Sequence, residues 1–185
     1  MTPIYRKTTL VLVLIAALAV PLALRAQSGP KACSMLTVSE LEEVMGAKIT
    51  SSTEGDIPYK KGASSDHEGT LMTCHWKMGA RSVSLVYSTG PVTAEGKKQG
   101  ENKIKASEEA LRQEGYKVDK KDFGNMKCST MVAPVQQTVK QFSTSCGTEK
   151  GRMFVTVSAS ASGQGDLVPM EKIKTLTEKA ASRLP

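Results

Sequence analysis

The chain has 185 residues, a formal net charge of +7 and few aromatic side chains, which make up 4% of the sequence. Its lysines and arginines are scattered among acids, whereas a nucleic-acid-binding surface needs clustered basic residues and usually aromatic platforms for stacking. The composition therefore argues against nucleic acid as a partner, and we interpret the charge as a source of solubility.

The first 26 residues have the layout of a secretory signal peptide. A basic start, MTPIYRK, precedes an apolar run from Thr8 to Leu24, and small residues follow where a signal peptidase would cut. We place the cut after Ala26, so the chain loses three positive charges and no acid, and its net charge falls from +7 to +4. The alternative is an uncleaved anchor, although Pro21 interrupts a run that is barely long enough to span a membrane. Membrane contact is expected only through that segment.

Residues 27–185 are expected to form a single exported domain, a length that can bury a substantial core. All four cysteines lie in this part of the chain, at positions 33, 74, 128 and 146. An even number of cysteines in an oxidising compartment predicts two disulfides, for which three pairings are possible. Zinc is the competing interpretation, but no two cysteines have the close spacing of a zinc site. The predicted location is therefore secreted or periplasmic.

The stretch CSMLTVSELEEVMG, which begins at Cys33, is predicted to hold the first helix. Thr37 is a good N-cap, and Glu40 completes a capping box three residues later. The glycine at the end of the stretch, Gly46, ends the helix. A helix over 38–45 has about two turns and is too short to be stable alone. It needs an anchor, which Cys33 can provide.

Residues 47–88 are predicted to hold a short strand, a long loop and a hairpin. Ala47–Thr50 can form the strand, and the polar segment 51–70 is predicted to be an exposed loop. Apolar and polar side chains alternate in 71–78 and again in 81–88, as expected for two half-buried antiparallel strands. One face of the first of these strands holds Met72, Cys74, Trp76 and Met78.

The chain continues with a helix, further strands and a last helix. Thr93 can cap a helix over 94–114, whose sparse apolar stripe suggests a position on the surface of a sheet. Strands are predicted for 116–118, 126–132, 139–146 and 152–161, with a turn near Gln136-Gln137. Asp166 can cap a C-terminal helix with the core face Met170, Ile173, Leu176, Ala180 and Leu184.

This order predicts an α+β fold, because the strands come in adjacent hairpins and do not alternate singly with helices. We expect an antiparallel sheet of about five to six strands packed by three helices, in the order α-β-β-β-α-β-β-β-α. A hairpin folded at residue 137 places Cys128 opposite Cys146, with Cα atoms about 4.5–5.5 Å apart. By elimination, Cys33 then pairs with Cys74.

The beginning of the exported part resembles a known protein family. Cys33-Ser-Met-Leu-Thr-Val-Ser-Glu-Leu, then Gly46, then Cys74-His-Trp are similar to motifs of small exported bacterial domains of unknown function. Many members are lipoproteins that open with C-S-x-L-T-x-x-E-[VL]…G and carry a later C-x-[WY] strand. The resemblance implies a helix-on-sheet α+β domain and a Cys33–Cys74 bridge, and it carries over no catalytic residues. This chain lacks the lipobox of the lipoprotein members.

The sequence contains no recognisable catalytic motif, such as a G-x-S-x-G elbow, an H-E-x-x-H pair or a phosphate-binding glycine loop. Its only histidines are His67 and His75, and His75 is expected to be a solvent-facing strand residue. With Met72 and Met78 they suggest an alternative, a soft-metal site of the Cu(I) type. Since most strand methionines fall at inward positions, we expect them in the core and predict no bound cofactor.

These observations favour an exported, disulfide-stabilised binding domain that is not an enzyme. Its ligand, an unidentified protein or small molecule of the cell envelope, would bind at the sheet or at the 51–70 loop. One alternative is a periplasmic metal-binding protein that uses His67, His75, Met72 and Met78. A less favoured alternative is an enzyme with an unrecognised site.

Overall fold

A computed structural model describes residues 30–61, 68–90, 93–134 and 142–185 of the chain. The predicted signal peptide, His67 and the predicted turn at Gln136-Gln137 lie outside these residues. The helices and strands of the described part are, in chain order, α1 (Val38–Met45), β1 (Ser51–Tyr59), β2 (Gly69–Met78), β3 (Arg81–Ser88), α2 (Ala94–Gln113), β4 (Lys117–Phe123), β5 (Met126–Val132), β6 (Phe142–Lys150), β7 (Met153–Ala161) and α3 (Met170–Ser182).

The strands form one seven-stranded sheet in the order β1-β2-β3-β7-β6-β5-β4, and every neighbouring pair is antiparallel. The α+β class and the antiparallel pairing are confirmed, but the prediction of five to six strands is wrong. Four strands, not three, lie between α2 and α3, so the order is α-β-β-β-α-β-β-β-β-α. The two halves of the chain meet where β3 pairs with β7.

The two edge strands account for the difference. Residues 51–59, predicted to belong to a loop, pair with β2 along the whole of β1, and the predicted strand Ala47–Thr50 only precedes it. β4 extends from Lys117 to Phe123, beyond the predicted 116–118. An edge strand is held by backbone hydrogen bonds to one neighbour and needs no apolar face. Its sequence therefore lacks the alternation that marks a central strand.

One face of the sheet, called here the inner face, carries the hydrophobic core. Trp76, Leu85 and Val157 on three different strands are each at most 2% exposed. Helix α3 packs against β6 and β7 on this face, and α1 packs against α3. The predicted core face of α3 is confirmed at Ile173 and Leu176, which are fully buried.

The C-terminal helix begins later than predicted. Asp166, the predicted cap, lies in a 3₁₀ turn and accepts a hydrogen bond from Arg81 Nη2 at 3.2 Å. Pro169 occupies the N-cap position of α3. A residue that precedes proline avoids the helical conformation, which disfavours a helix that starts before Pro169. The carbonyl of Val168 accepts a hydrogen bond from Thr144 at 2.5 Å, which holds this segment on β6.

Both predicted disulfides are present. Cys33–Cys74 joins the 3₁₀ turn before α1 to the inner face of β2, with Cα atoms 5.0 Å apart. Cys128 and Cys146 lie directly opposite each other on β5 and β6, with Cα atoms 4.1 Å apart. The two bridges are compatible with an extracellular or periplasmic location. Among the helices of the described ranges, none is long and apolar enough to cross a membrane.

The predicted capping box of α1 is also confirmed. Thr37 Oγ1 accepts a hydrogen bond from the Glu40 N–H, and the Thr37 N–H donates to the Glu40 carboxylate. Arg183, which follows α3, donates to both carboxylate oxygens of Glu40 at 2.8 and 2.7 Å. This guanidinium, helped by Thr37 and Lys179 and opposed by burial, holds the pKa of Glu40 well below its ordinary value of 4.5.

We expect Glu40→Gln to lower the free energy of unfolding at neutral pH by about 1.5–3 kcal/mol, the usual contribution of a hydrogen bond to a charged group. Because the pKa of Glu40 is depressed in the folded state, its stabilisation is complete above about pH 4.5 and is lost as the pH falls towards the folded pKa. Urea unfolding at about pH 7, 5 and 3 should therefore show a difference between wild type and variant that narrows with acidity. A difference that is independent of pH, or an equal effect of Glu43→Gln at an exposed position of α1, would contradict this expectation.

Candidate functional site

The opposite face of the sheet, called here the outer face, is rich in hydroxyl groups. Successive side chains of a strand point to opposite faces, so the residues between the core positions of neighbouring strands meet on this face. Serine and threonine dominate it at Thr53, Thr73, Ser82, Ser84, Ser129, Ser143, Ser145, Thr156, Ser158 and Ser160. All of them except the exposed Thr53 are partly exposed.

One line of side chains crosses all seven strands of the outer face. The strand register places each member directly opposite the next, and we call this line the hydroxyl row: Thr53, His75, Ser84, Ser158, Ser145, Ser129 and Lys120. Its members repeat at the distance between adjacent strands, about 4.8 Å. His75 Nδ1 lies 2.7 Å from Ser84 Oγ, and Ser145 Oγ lies 2.8 Å from Ser158 Oγ. The row is therefore a periodic array of hydrogen-bond donors and acceptors.

His75 lies on the outer face and is partly exposed, at the position predicted for it. Its contact with Ser84 joins a hydroxyl to an imidazole, the two groups of many nucleophile–base pairs. On its other side His75 faces Thr53, which offers a hydroxyl and not the carboxylate that orients the histidine of a catalytic triad. The arrangement is typical of a cross-strand hydrogen bond within a polar row.

The three described residues of the metal-binding alternative, His75, Met72 and Met78, do not come together. Met72 and Met78 are buried on the inner face, whereas His75 lies on the outer face of the same strand. The backbone of β2 therefore separates His75 from either methionine sulfur. Within the ranges that the structure describes, which exclude His67, no group of three or more His, Cys, Asp or Glu side chains could hold a metal ion.

Helix α2 lies over one end of the outer face. Ion pairs connect its side chains to β6, β5 and β4: Lys97–Glu149, Glu101–Lys127 and Glu108–Lys120. None of the 20 residues of α2 is buried, and exposed ion pairs each contribute little to stability. Lys120 is the last member of the hydroxyl row. Helix α2 therefore lies near the Lys120 end of the row and farther from His75 and Ser84, which lie towards its opposite end.

A second candidate surface is a shallow depression beside β1, in the segment predicted to be a loop. Its volume is about 350 Å³, and its lining residues are Lys31, Glu54, Gly55, Asp56 and Met72. The Cys33 N–H donates to Glu54 Oε1 at 3.0 Å, which fixes one wall of the depression close to the first disulfide. Burial, and then the negative charges of Asp56 and Glu54, raise the pKa of the nearby Tyr87. The depression is lined by two carboxylates, those of Glu54 and Asp56, and by one ammonium group, that of Lys31, so acidic charge predominates there.

No protein-family model fits this chain, and no curated protein is significantly similar to it. The candidate site is therefore interpreted from its own residues.

Sequence reasoning placed His75 on the correct face but missed the hydroxyl row. A signal was present, because serines alternate with core residues at Ser82 and Ser84 and again at Ser158 and Ser160. The missing information was the strand order, since β3 and β7 are neighbours only in the folded sheet.

Proposed function

We propose that this protein is an exported, disulfide-stabilised binding domain without catalytic activity, and that its outer face binds a carbohydrate chain of the cell envelope. The observation that carries the proposal is the hydroxyl row, which crosses the whole sheet. Export is supported by the signal-peptide layout of residues 1–26 and by the two disulfides. The resemblance to small exported domains of unknown function agrees with this proposal.

The chemistry of the row favours a neutral ligand that carries many hydroxyl groups. The central members Ser84, Ser158 and Ser145 are uncharged, and each hydroxyl can both donate and accept a hydrogen bond. Carbohydrate hydroxyls have the same double capacity, so the two surfaces can satisfy each other without leaving buried polar groups unpaired. The spacing of about 4.8 Å between members suits a ligand whose hydroxyls also recur at regular intervals.

The proposal is tested by calorimetric titration of the exported domain with neutral hexasaccharides of the cello-, chito- and malto- series. We expect at least one of them to bind, and the double variant Ser84→Ala with Ser158→Ala to weaken that binding. Each hydrogen bond contributes about 0.5–1.5 kcal/mol, so the loss of two hydroxyls corresponds to a roughly tenfold rise in the dissociation constant.

Ser39→Ala is the matched control, because it removes an exposed hydroxyl from α1, far from the sheet's outer face. Circular dichroism of each variant checks that the sheet is intact. If no hexasaccharide binds, or if the Ser39 variant and the double variant weaken binding equally, the carbohydrate proposal is wrong.

A further inference from the structure

The two edges of the sheet are protected very differently. β4 carries Lys117, Lys120 and Lys121, and the last two form ion pairs with α2 and α3, respectively. Lysines and covering elements are the usual means by which proteins prevent other strands from pairing with an edge. The nine residues of β1, SSTEGDIPY, include no lysine, and Ile57 of this strand is 54% exposed. Among the described residues, the β1 edge therefore lacks the lysines and the ion-paired helices that protect β4.

The hydrogen-bond pattern between β2 and β3 shows which backbone groups of β1 face the open edge. The Thr89 N–H donates to the Thr70 carbonyl at 3.0 Å, which fixes the residues of β2 that bond to β3. Because bonding alternates along an antiparallel strand, the other residues of β2 bond to β1, and Gly55 is turned towards β2 by its pairing with Thr73. The N–H groups of Ser52, Glu54 and Asp56 then point to the open edge.

Pro58 also lies on the open side of β1, where it has no N–H to offer. The edge available for pairing thus runs from residue 52 to residue 57. Along it, the side chains of Glu54 and Asp56 share the inner side of the strand, and both line the depression of about 350 Å³. An extended partner paired with this edge could form hydrogen bonds with the outward N–H groups of β1. Every second side chain of the partner would then lie beside the acidic depression.

We propose that the β1 edge binds an extended segment of another protein as an eighth strand, with lysine or arginine at alternate positions placed against Glu54 and Asp56. In strand addition, backbone hydrogen bonds supply affinity and pockets for alternate side chains supply specificity. A second copy of this chain fits less well, because pairing of β1 with itself sets carboxylates opposite carboxylates, which is destabilising. This surface is separate from the outer face, so the inference stands or falls independently of carbohydrate binding.

The probe is a fluorescent peptide of about eight residues, long enough to span the edge from residue 52 to residue 57, in which lysine and valine alternate. Its counterpart has glutamate in place of lysine. Fluorescence anisotropy should show binding of the lysine peptide and none of the glutamate peptide. The double variant Glu54→Gln with Asp56→Asn should weaken binding roughly three- to tenfold, through loss of two exposed charge pairs.

A backbone variant separates strand addition from simple charge attraction. Ser52→Pro removes an N–H that points to the open edge and keeps both carboxylates, so it should weaken binding of the lysine peptide roughly three- to tenfold. Glu43→Gln, which removes an acid from α1, is the control and should leave binding unchanged. Amide hydrogen exchange in the presence of the peptide should slow at Ser52, Glu54 and Asp56.

Two results would overturn the inference. The first is binding of the lysine peptide that neither Ser52→Pro nor the double charge variant weakens. The second is a concentration-dependent dimer of the free protein in sedimentation that Ser52→Pro abolishes, since the edge would then be occupied by a second copy.

Discussion

Replacement of Cys33 and Cys74 by serine is expected to lower the free energy of unfolding by about 4 kcal/mol, the chain-entropy value for a loop of this size. The bridge spans 41 residues and joins the segment before α1 to a central part of the core, because Cys74 is 1% exposed on β2. Typical domains are stable by about 5–15 kcal/mol, so this loss is a large share of the total. It should be the most damaging of the covalent changes.

The physical reason is that α1 has few other attachments to the sheet. Its eight residues are too few to be stable alone, and it contacts α3 more than any strand. Around the bridge, Cys33 N–H donates to Glu54 and the Tyr87 hydroxyl donates to the Pro30 carbonyl. Without the bridge, these bonds and the burial of Ala32, Met35 and Leu36 must hold the first residues of the domain.

Urea unfolding followed by circular dichroism measures the effect, and the matched control is the serine replacement of Cys128 and Cys146. That bridge closes 18 residues between two strands that are already paired, so about 3 kcal/mol is expected. A smaller loss for the Cys33 and Cys74 variant than for the control would contradict the role given to the first bridge.

Trp76→Ala is expected to destabilise the domain by about 3–5 kcal/mol, the usual cost of truncating a large buried aromatic residue. Trp76 is the only tryptophan of the chain and is 2% exposed. On the inner face of β2 it lies opposite Val83 of β3, with Cys74 two residues before it. Its removal leaves a cavity where β2, β3 and the first disulfide meet.

Trp76→Phe is the control, because it retains most of the apolar volume and should cost considerably less than the alanine variant. Both variants lack the tryptophan signal, so unfolding has to be followed by circular dichroism. Equal losses for phenylalanine and alanine would show that the cavity is not the cause. A loss below about 1 kcal/mol for alanine would place Trp76 outside the core.

The sequence predicts central elements well because burial on one face imposes a pattern. The alternation around Trp76 and Leu85 identifies β2 and β3, and the capping box at Thr37 and Glu40 defines α1. β1 was missed and β4 was predicted only in part, because neither strand has a regular alternation of apolar and polar residues and both are held by backbone pairing. Their formation depends on a neighbouring strand and is not encoded in a local period of apolar residues.

The candidate surfaces were harder to predict for the same reason. The hydroxyl row joins Ser84 to Ser158, which are far apart in sequence and become neighbours through the β3–β7 pairing. The acidic depression requires β1 to be a strand, since only then do Glu54 and Asp56 lie on one side of it. The arrangement of both surfaces follows from strand register, which a single sequence does not specify.

The proposed function is tested most directly by an amide NMR titration of the exported domain with the neutral hexasaccharides. We predict chemical-shift changes that follow the hydroxyl row, with the largest at His75, Ser84 and Ser158, and little change on the inner face or at residues 52–57. Absence of any change at millimolar hexasaccharide, or changes that avoid the outer face, would contradict the assignment of this face as the binding surface.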